Sequence, residues 1–395
     1  LSKVVSFLKI RYTDGKVGNS DVSDRRFMYL NQMKENGDYG YKLGPNGTKY
    51  SGYETLNMAV DLIWEEARKQ DLGIDLKLFN DDLSIIFDIF KERRENILLK
   101  RENSIPSFLG YNTSAPYGNI GIVENKGFDA TVEYNKRFNK DWTLAIRGNI
   151  TYNKDKWIEG ELPEQRYDWM NQYGQNILGK KGYIAEGLFT QAEIDDMARW
   201  ESLSQANKAT TPKPFAQFGT VKAGDIKYKD LNNDGQIDAY DKTYICRGDV
   251  PTMVYGFGFT LGWKNLSLGM MFQGTHDAER IMSGSSIQPF NGGGGSGNLY
   301  SNIDDRWTED NPNQNAFYPR LSYGAETSSN INNFQPSTWW VRDFSFLRLK
   351  TMQISYNLPK DWVNKVRLKN AAVYVMGTNL FTLSKFKLWD PETGS

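Results

Sequence analysis

The chain is built on period-two alternation. Phe128, Ala130, Val132 and Tyr134 alternate with Asp129, Thr131, Glu133 and Asn135. After the turn chemistry of Asn139-Lys140-Asp141, Trp142, Leu144, Ile146, Gly148, Ile150 and Tyr152 alternate with Thr143, Ala145, Arg147, Asn149, Thr151 and Asn153. Successive strand side chains point to opposite faces, so the two runs predict a hairpin with one apolar face. A second hairpin is predicted by Tyr255, Phe257, Phe259, Leu261 and Trp263, the turn Lys264-Asn265, then Leu266, Leu268, Met270 and Phe272. A third runs Leu72, Ile74, Leu76, Leu78, Asn80-Asp81-Asp82, then Leu83, Ile85, Phe87, Ile89. A fourth joins Met352, Ile354, Tyr356 and Leu358 to a strand near Ala371–Phe381, across Pro359 and a connection of about ten residues. Leu347 and Leu349 sit on the opposite parity from Met352, which predicts a bulge between them. Leu8, Ile10 and Tyr12 predict the end of a further strand.

A soluble β-sandwich alternates too, so alternation alone leaves the class open. Two features favour a membrane barrel. The turns inside hairpins are short, while the links between hairpins are long: roughly 13–69, 91–127, 154–253 and 274–343. Compact soluble domains rarely carry several links of such length, whereas outer-membrane barrels carry theirs on the extracellular side. Aromatics also bracket the apolar stripes. Trp142 and Tyr152 are ten steps apart on one face, and at about 3.3 Å per residue and about 40° tilt they span roughly 25 Å along the membrane normal. That is the height of a barrel's apolar band. The expected fold is therefore all-β, a transmembrane antiparallel β-barrel with long extracellular loops, 154–253 being the longest.

Composition narrows the function. With 48 Lys+Arg against 48 Asp+Glu, the chain lacks the basic footprint of a nucleic-acid binder. One cysteine, Cys246, rules out an intramolecular disulfide framework, and one histidine, His276, rules out a two-His metal site. A mean hydropathy of −0.61 does not exclude a barrel, because alternation hides its hydrophobicity. No run of 18 apolar residues exists, so no transmembrane helix is expected. The absence of an initiator Met or leader pattern at Leu1 leads to the expectation of a mature piece or a fragment.

Several segments together resemble SusC-like TonB-dependent outer-membrane transporters of the Bacteroidetes. They are Asn119-Ile-Gly-Ile-Val-Glu-Asn-Lys-Gly-Phe-Asp-Ala, Gly224-Asp-Ile-Lys-Tyr-Lys-Asp-Leu-Asn-Asn-Asp-Gly-Gln-Ile-Asp, Phe346-Leu-Arg-Leu-Lys, Ser355-Tyr-Asn-Leu-Pro, Gly377-Thr-Asn-Leu-Phe-Thr and Asp390-Pro-Glu. Phe7-Leu-Lys-Ile-Arg and Leu62-Ile-Trp-Glu match near the front. The resemblance covers nearly the whole chain, in order. It implies that residues 1–395 are the C-terminal part of a barrel of about 22 strands, with the plug domain and TonB-engaging segment outside this sequence. It also implies a lid-like SusD-type lipoprotein partner, a TonB system as energy source, and oligosaccharides or peptides as substrates. A final closing strand is missing by the same comparison, so other strands must cover the sheet edges.

One local motif suggests metal chemistry. Asp230, Asn232, Asp234, Gln236, Asp238 and Asp241 fall at positions 1, 3, 5, 7, 9 and 12 of an EF-hand-type loop, with Gly235 at the sharp turn. Their oxygens would suit Ca2+ in a structural role, with Ile237 anchoring the loop in apolar surroundings. An Asx-rich turn satisfying its own backbone is the competing reading. Asp241 in place of Glu shortens the reach of the last ligand. Elsewhere the chemistry is bland. His276 reads as a loop histidine and Cys246 as a buried thiol. The run 291–298 reads as a flexible loop rather than a phosphate cradle. The charge runs Glu65–Lys69 and Lys91–Glu95 read as strand mouths above the membrane. Loop aromatics Tyr167, Trp169, Tyr173, Trp200, Phe290, Trp339 and Trp340 could stack on a substrate, but loop-core packing is the simpler role. No catalytic set stands out, so an enzyme is not expected. Uptake, a scaffolding role for such a barrel, and a soluble secreted calcium-binding β protein are the three functional readings, and extraction without detergent would single out the last.

Overall fold

A computed structural model of the protein describes all residues except 1–3, 21–26, 58–60, 105–114, 212, 215–216, 286, 292–298, 323–330, 366 and 393–395. The glycine-rich run at 292–298 therefore lies outside the described residues. In chain order the strands are β1 (Val5–Asn19), β2 (Gln32–Leu43), β3 (Thr48–Asn57), β4 (Glu65–Leu78), β5 (Leu83–Lys100), β6 (Tyr117–Arg137) and β7 (Trp142–Glu159). Four short strands follow: β8 (Lys180–Gly182), β9 (Ala185–Leu188), β10 (Ile226–Tyr228) and β11 (Thr243–Cys246). The rest are β12 (Met253–Trp263), β13 (Leu266–His276), β14 (Glu279–Ile281), β15 (Val341–Asp343), β16 (Phe346–Asn357) and β17 (Ala372–Ser384).

Nine of these form one antiparallel sheet in the order β1-β4-β5-β6-β7-β12-β13-β16-β17. All four expected hairpins are present in it, together with the strand expected around Ile10. Their turns follow from local chemistry. Asn139 Oδ1 accepts from the backbone N–H of Asp141 (2.8 Å) and of Trp142 (2.9 Å). The β4–β5 turn places Phe79, Asn80 and Asp81 at φ of 57°, 56° and 69°, a region that Asn and Asp tolerate well. The expected bulge lies in β16, where the register against β13 and β17 slips between Leu349 and Thr351 and leaves Lys350 as the extra residue.

Alternation sorts the two faces as expected. Outward rings meet across strands: Phe87 is tilted against Phe128 at 5.9 Å, while Phe128 stacks on Tyr152 at 5.6 Å and Phe257 on Phe272 at 4.9 Å between centroids. Trp142 and Trp263 pair at 6.0 Å at the turn end of the same face. The charge runs at Glu65 and Lys91 are strand, in β4 and β5, and not helix. β5, β6 and β7 continue through the charge run read as a strand mouth, to Lys100, Tyr117 and Glu159, with Lys91, Lys126 and Glu124 paired across the ladder. Two boundaries need correction. His276 is the last residue of β13 rather than a loop residue. The first long link contains the β2–β3 hairpin, whose turn uses Gly44 and Gly47 at positive φ (82° and 61°).

All short turns lie at one end of the sheet and all long links at the other. Intact cells expressing the full-length protein should therefore label a cysteine placed at Asn233 and spare one placed at Lys140. The native Cys246 is only 5% exposed, so it adds little background. Labelling at 140 alone would invert the topology.

Candidate functional site

The inward parity of the sheet is polar. Thr131, Glu133, Arg147, Thr260, Gln353 and Ser355 line a hollow of about 880 Å³ on the concave face. Glu133 and Arg147 form an ion pair across β6 and β7 at 3.1 Å. The Ser267 and Ser355 hydroxyls share a hydrogen bond of 2.6 Å across β13 and β16. Toward the other edge, Arg11 donates to Asp75 (2.9 Å) and Asp88 (2.8 Å). Gly73 makes this possible: a Cβ there would lie 2.1 Å from Asp88 Oδ1 and 2.7 Å from Arg11 Nη2. The placement of Thr143, Arg147 and Thr260 opposite Leu144, Ile146, Leu261 and Leu268 follows directly from the register.

Above the sheet, the long links fold into a cap with a core of its own. Tyr183, Leu188, Ile226, Tyr228, Trp307, Tyr318, Trp340, Phe344 and Phe386 are buried together there. Three short two-stranded sheets, β8–β11, β9–β10 and β14–β15, tie the links to one another. A polar lock sits beneath them. Asp225 is fully buried and accepts from Arg320 Nε (3.0 Å), Asn333 Nδ2 (2.8 Å) and the Lys222 backbone N–H (2.8 Å). Asn333 Oδ1 in turn accepts from the Ile226 N–H (2.8 Å), and its carbonyl accepts from Trp340 Nε1 (2.8 Å). Gly224, at φ +84°, lets the Trp307 ring lie over the backbone, 2.2 Å from where a Cβ would be. The sequence did not single out this lock, because its partners are 95 and 108 residues apart.

Most loop aromatics take structural places. Trp340 is 1% exposed, and Trp339 packs against the same core. Tyr173 donates to the Gly160 carbonyl at 3.0 Å, and Trp200 Nε1 to that of Thr211 at 2.8 Å. Tyr167 stacks on Trp169 at 4.5 Å, and Trp169 Nε1 donates to the Tyr240 carbonyl (2.9 Å), which pins the acidic loop to the turn at 167–170. Cys246 is a buried thiol, pushed up by burial.

The acidic loop itself is wound as the spacing suggested. Gly235 has φ +80° and Asn233 +58°, and Ile237 is buried in the cap core. Its carboxylates point at backbone. Asp230 Oδ2 accepts from the Gly235 N–H (2.8 Å), Asn232 Oδ1 from that of Asp234 (3.1 Å), and Asp234 Oδ1 from that of Gln236 (2.9 Å). Asp238 Oδ1 accepts from Tyr240 N–H (2.7 Å). Asp241, fully buried, accepts from Leu231 N–H (2.7 Å) and Asp238 N–H (2.9 Å). Among the described residues no three His, Cys, Asp or Glu side chains are grouped as a metal cluster. One atom stands apart: Asp230 Oδ1 is buried without a hydrogen-bond partner. Burial, opposed by backbone hydrogen bonds and reinforced by the Asp230 charge, pushes the Asp241 carboxyl up. Burial and then the charges of Asp241 and Asp238 push the nearby Tyr183 phenol up to about 12. The charged state of Asp241 is thus the costly one in this loop.

A single curved antiparallel sheet, apolar outside and polar inside, with short turns at one end and a packed cap at the other, is a segment of an outer-membrane β-barrel. Residues 28–243 match the family described as "TonB dependent receptor-like, beta-barrel", and the chain belongs to that family, whose barrels sit in the outer membrane of Gram-negative bacteria. TonB-dependent receptor P26 of Formosa agariphila is 26% identical over 397 residues, 98% of this chain and 36% of that protein. TonB-dependent receptor SusC of Bacteroides thetaiotaomicron is 23% identical over 407 residues, 99% of this chain and 36% of that protein. The RagAB peptide importer in its open-open state shares the fold, with a TM-score of 0.68 at 21% identity over all of this chain and 38% of that one. The chain thus spans a little over a third of the length of these relatives.

Proposed function

We propose that this chain is the C-terminal part of the barrel of an active outer-membrane transporter, energised through TonB and capped by a SusD-like lipoprotein. The observation that carries this reading is the polar concave face beneath a folded loop cap: a wet passage on one side, a structured mouth on the other. Oligosaccharides or peptides are the proposed substrate classes, and the likeness to a peptide importer supports the second. The barrel needs no catalytic residue, because work is supplied from outside it. Uptake of a labelled oligosaccharide or peptide mixture by cells carrying the full-length gene should stop when TonB is deleted. Uptake unaffected by TonB, with the protein still assembled in the membrane, would favour a scaffolding role.

A second part of the reading concerns the acidic loop. Ca2+ is its proposed ligand, held by oxygens of Asp230, Asn232, Asp234, Gln236, Asp238 and Asp241. The unpartnered Asp230 Oδ1 and the fully buried Asp241 support it, since a hard cation would satisfy the first and stabilise the charge of the second. Asp234 and Asp238 each give one oxygen to a backbone N–H, and their remaining lone pairs are open to the ion. Chelation of the wild-type protein, or Asp234→Ala, is expected to speed proteolysis between Lys222 and Arg247 without changing the heat-resistance of the barrel on a gel. No change on chelation would leave the turn reading in place.

A further inference from the structure

The outer face of the sheet carries an unbalanced cationic patch just beyond the apolar band. Lys91 of β5 faces Lys126 of β6, and Lys126 faces Lys154 of β7, so three lysines stand side by side across three strands. Like charges directly opposite one another in a sheet are destabilising. The next outward row adds Lys156, opposite Glu124. Among the described residues Glu124 alone serves this group: its carboxylate is 3.1 Å from Lys91, 2.9 Å from Lys126 and 3.5 Å from Lys156. Lys154 is exposed and has no carboxylate partner among the described residues. Neighbouring cations on the same face are matched one to one, as in Arg68–Asp14, Lys16–Glu66 and Arg93–Glu95. Three ammonium groups share one carboxylate and Lys154 stands beside them without one, which leaves these five side chains a net charge of about +3.

The height of the patch identifies what would meet it. Lys126 and Lys154 share the face of Phe128 and Tyr152, the stacked rings at the loop-side end of the apolar stripe, and lie two residues beyond them. Two residues of tilted strand rise roughly 5 Å along the normal. That leads out of the hydrocarbon and into the headgroup layer, which extends about 5–8 Å beyond it on each side. The long-link end of such barrels is extracellular, so this layer is the outer leaflet, where Gram-negative membranes carry phosphorylated glycolipid.

The geometry points to a binding site for the phosphate headgroup of an outer-leaflet glycolipid, formed by Lys91, Lys126, Lys154 and Lys156 on the outer face of β5–β7. The lysines supply the charge, and Phe87, Phe128 and Tyr152 pack against the acyl chains below. Glu124 holds the ammonium groups of Lys91, Lys126 and Lys156 together, and Lys154 lies directly opposite Lys126. This assignment depends on the barrel's place in the membrane and not on what it transports.

The test is native mass spectrometry of the full-length receptor in detergent, incubated with a lipid A-type glycolipid in phosphorylated or dephosphorylated form. Wild type should retain the phosphorylated lipid preferentially. Lys91→Gln, Lys126→Gln and Lys154→Gln together should lower that retention by about ten-fold or more, while the corresponding triple Arg variant keeps it. Heat-modifiability on a gel identifies folded barrel in each case. Equal binding of the two lipids by wild type would overturn the site. So would retention by a folded Gln variant at the wild-type level, loss in a folded Arg variant, or displacement of the lipid by millimolar inorganic phosphate.

Discussion

Asp225→Ala is expected to loosen the loop cap while leaving the transmembrane sheet assembled. Asp225 is fully buried, and donors from Lys222, Arg320 and Asn333 converge on its two oxygens. The Arg320 side chain is itself only 15% exposed, so removing the carboxylate leaves a guanidinium in a poorly hydrated place. Breaking a buried pair by deleting one partner costs about 3–5 kcal/mol. The Asn333 side chain would lose its orientation as well, and with it the hydrogen bond to the Ile226 N–H that joins the 274–343 link to the 154–253 link. Hydrogen exchange should accelerate at 183–189, 224–228 and 332–340. The strands β6, β7, β12 and β13 should keep their protection, because their ladder does not pass through the lock. Asp225→Asn preserves shape and should cost less, on the order of 1–3 kcal/mol. Unchanged exchange in the Ala variant would show that the cap is held by its aromatic core alone.

The second large effect is expected at Ile146. It sits on the outward face of β7, between Tyr134 of β6 and Phe259 of β12, and is 43% exposed in the protein alone. That exposed surface is covered by lipid in the membrane. Ile146 is four residues from Trp142 and six from Tyr152, so it lies close to the middle of the apolar band. An arginine there should destabilise the barrel by about 2–4 kcal/mol. Reversible denaturant titration of the full-length protein in lipid vesicles measures it. Gln353→Arg, on the concave face, is the control and should have little effect. A larger cost at Gln353 than at Ile146 would mean that the faces are assigned the wrong way round.

The sheet was legible in the sequence because its signals are local. Alternation at Trp142–Asn153 and at Tyr255–Phe272 needs only the pleat and a lipid boundary to decide which face each residue takes. The Asn139 turn needs only a side chain two residues from the N–H it accepts. Even the slip at Lys350 was visible, as a change of parity between Leu349 and Met352. Strand ends were less legible. The run Lys91–Glu95 read as a strand mouth, but only pairing across strands shows how far the ladder continues, through Glu124 and Lys156 to Glu159. The β2–β3 hairpin was hidden for a similar reason: its strands bury no clear apolar stripe, and its ends are set by Gly44 and Gly47.

The candidate site divides in the same way. The acidic loop was readable because Asp230 to Asp241 lie within twelve residues, and its turn at Gly235 is a backbone property. Whether each carboxylate faces an N–H or a common centre depends on tertiary placement, as the buried Asp230 Oδ1 illustrates. The Asp225–Arg320–Asn333 lock and the lysine patch were not readable at all. Each is assembled from segments far apart in the chain, and charges matter there only through which other charges the fold brings beside them. Local backbone chemistry and face alternation were thus determined by the sequence alone. The burial of Asp225 and the alignment of Lys91, Lys126 and Lys154 were decided by the tertiary structure, because desolvation and charge balance are properties of neighbours in space.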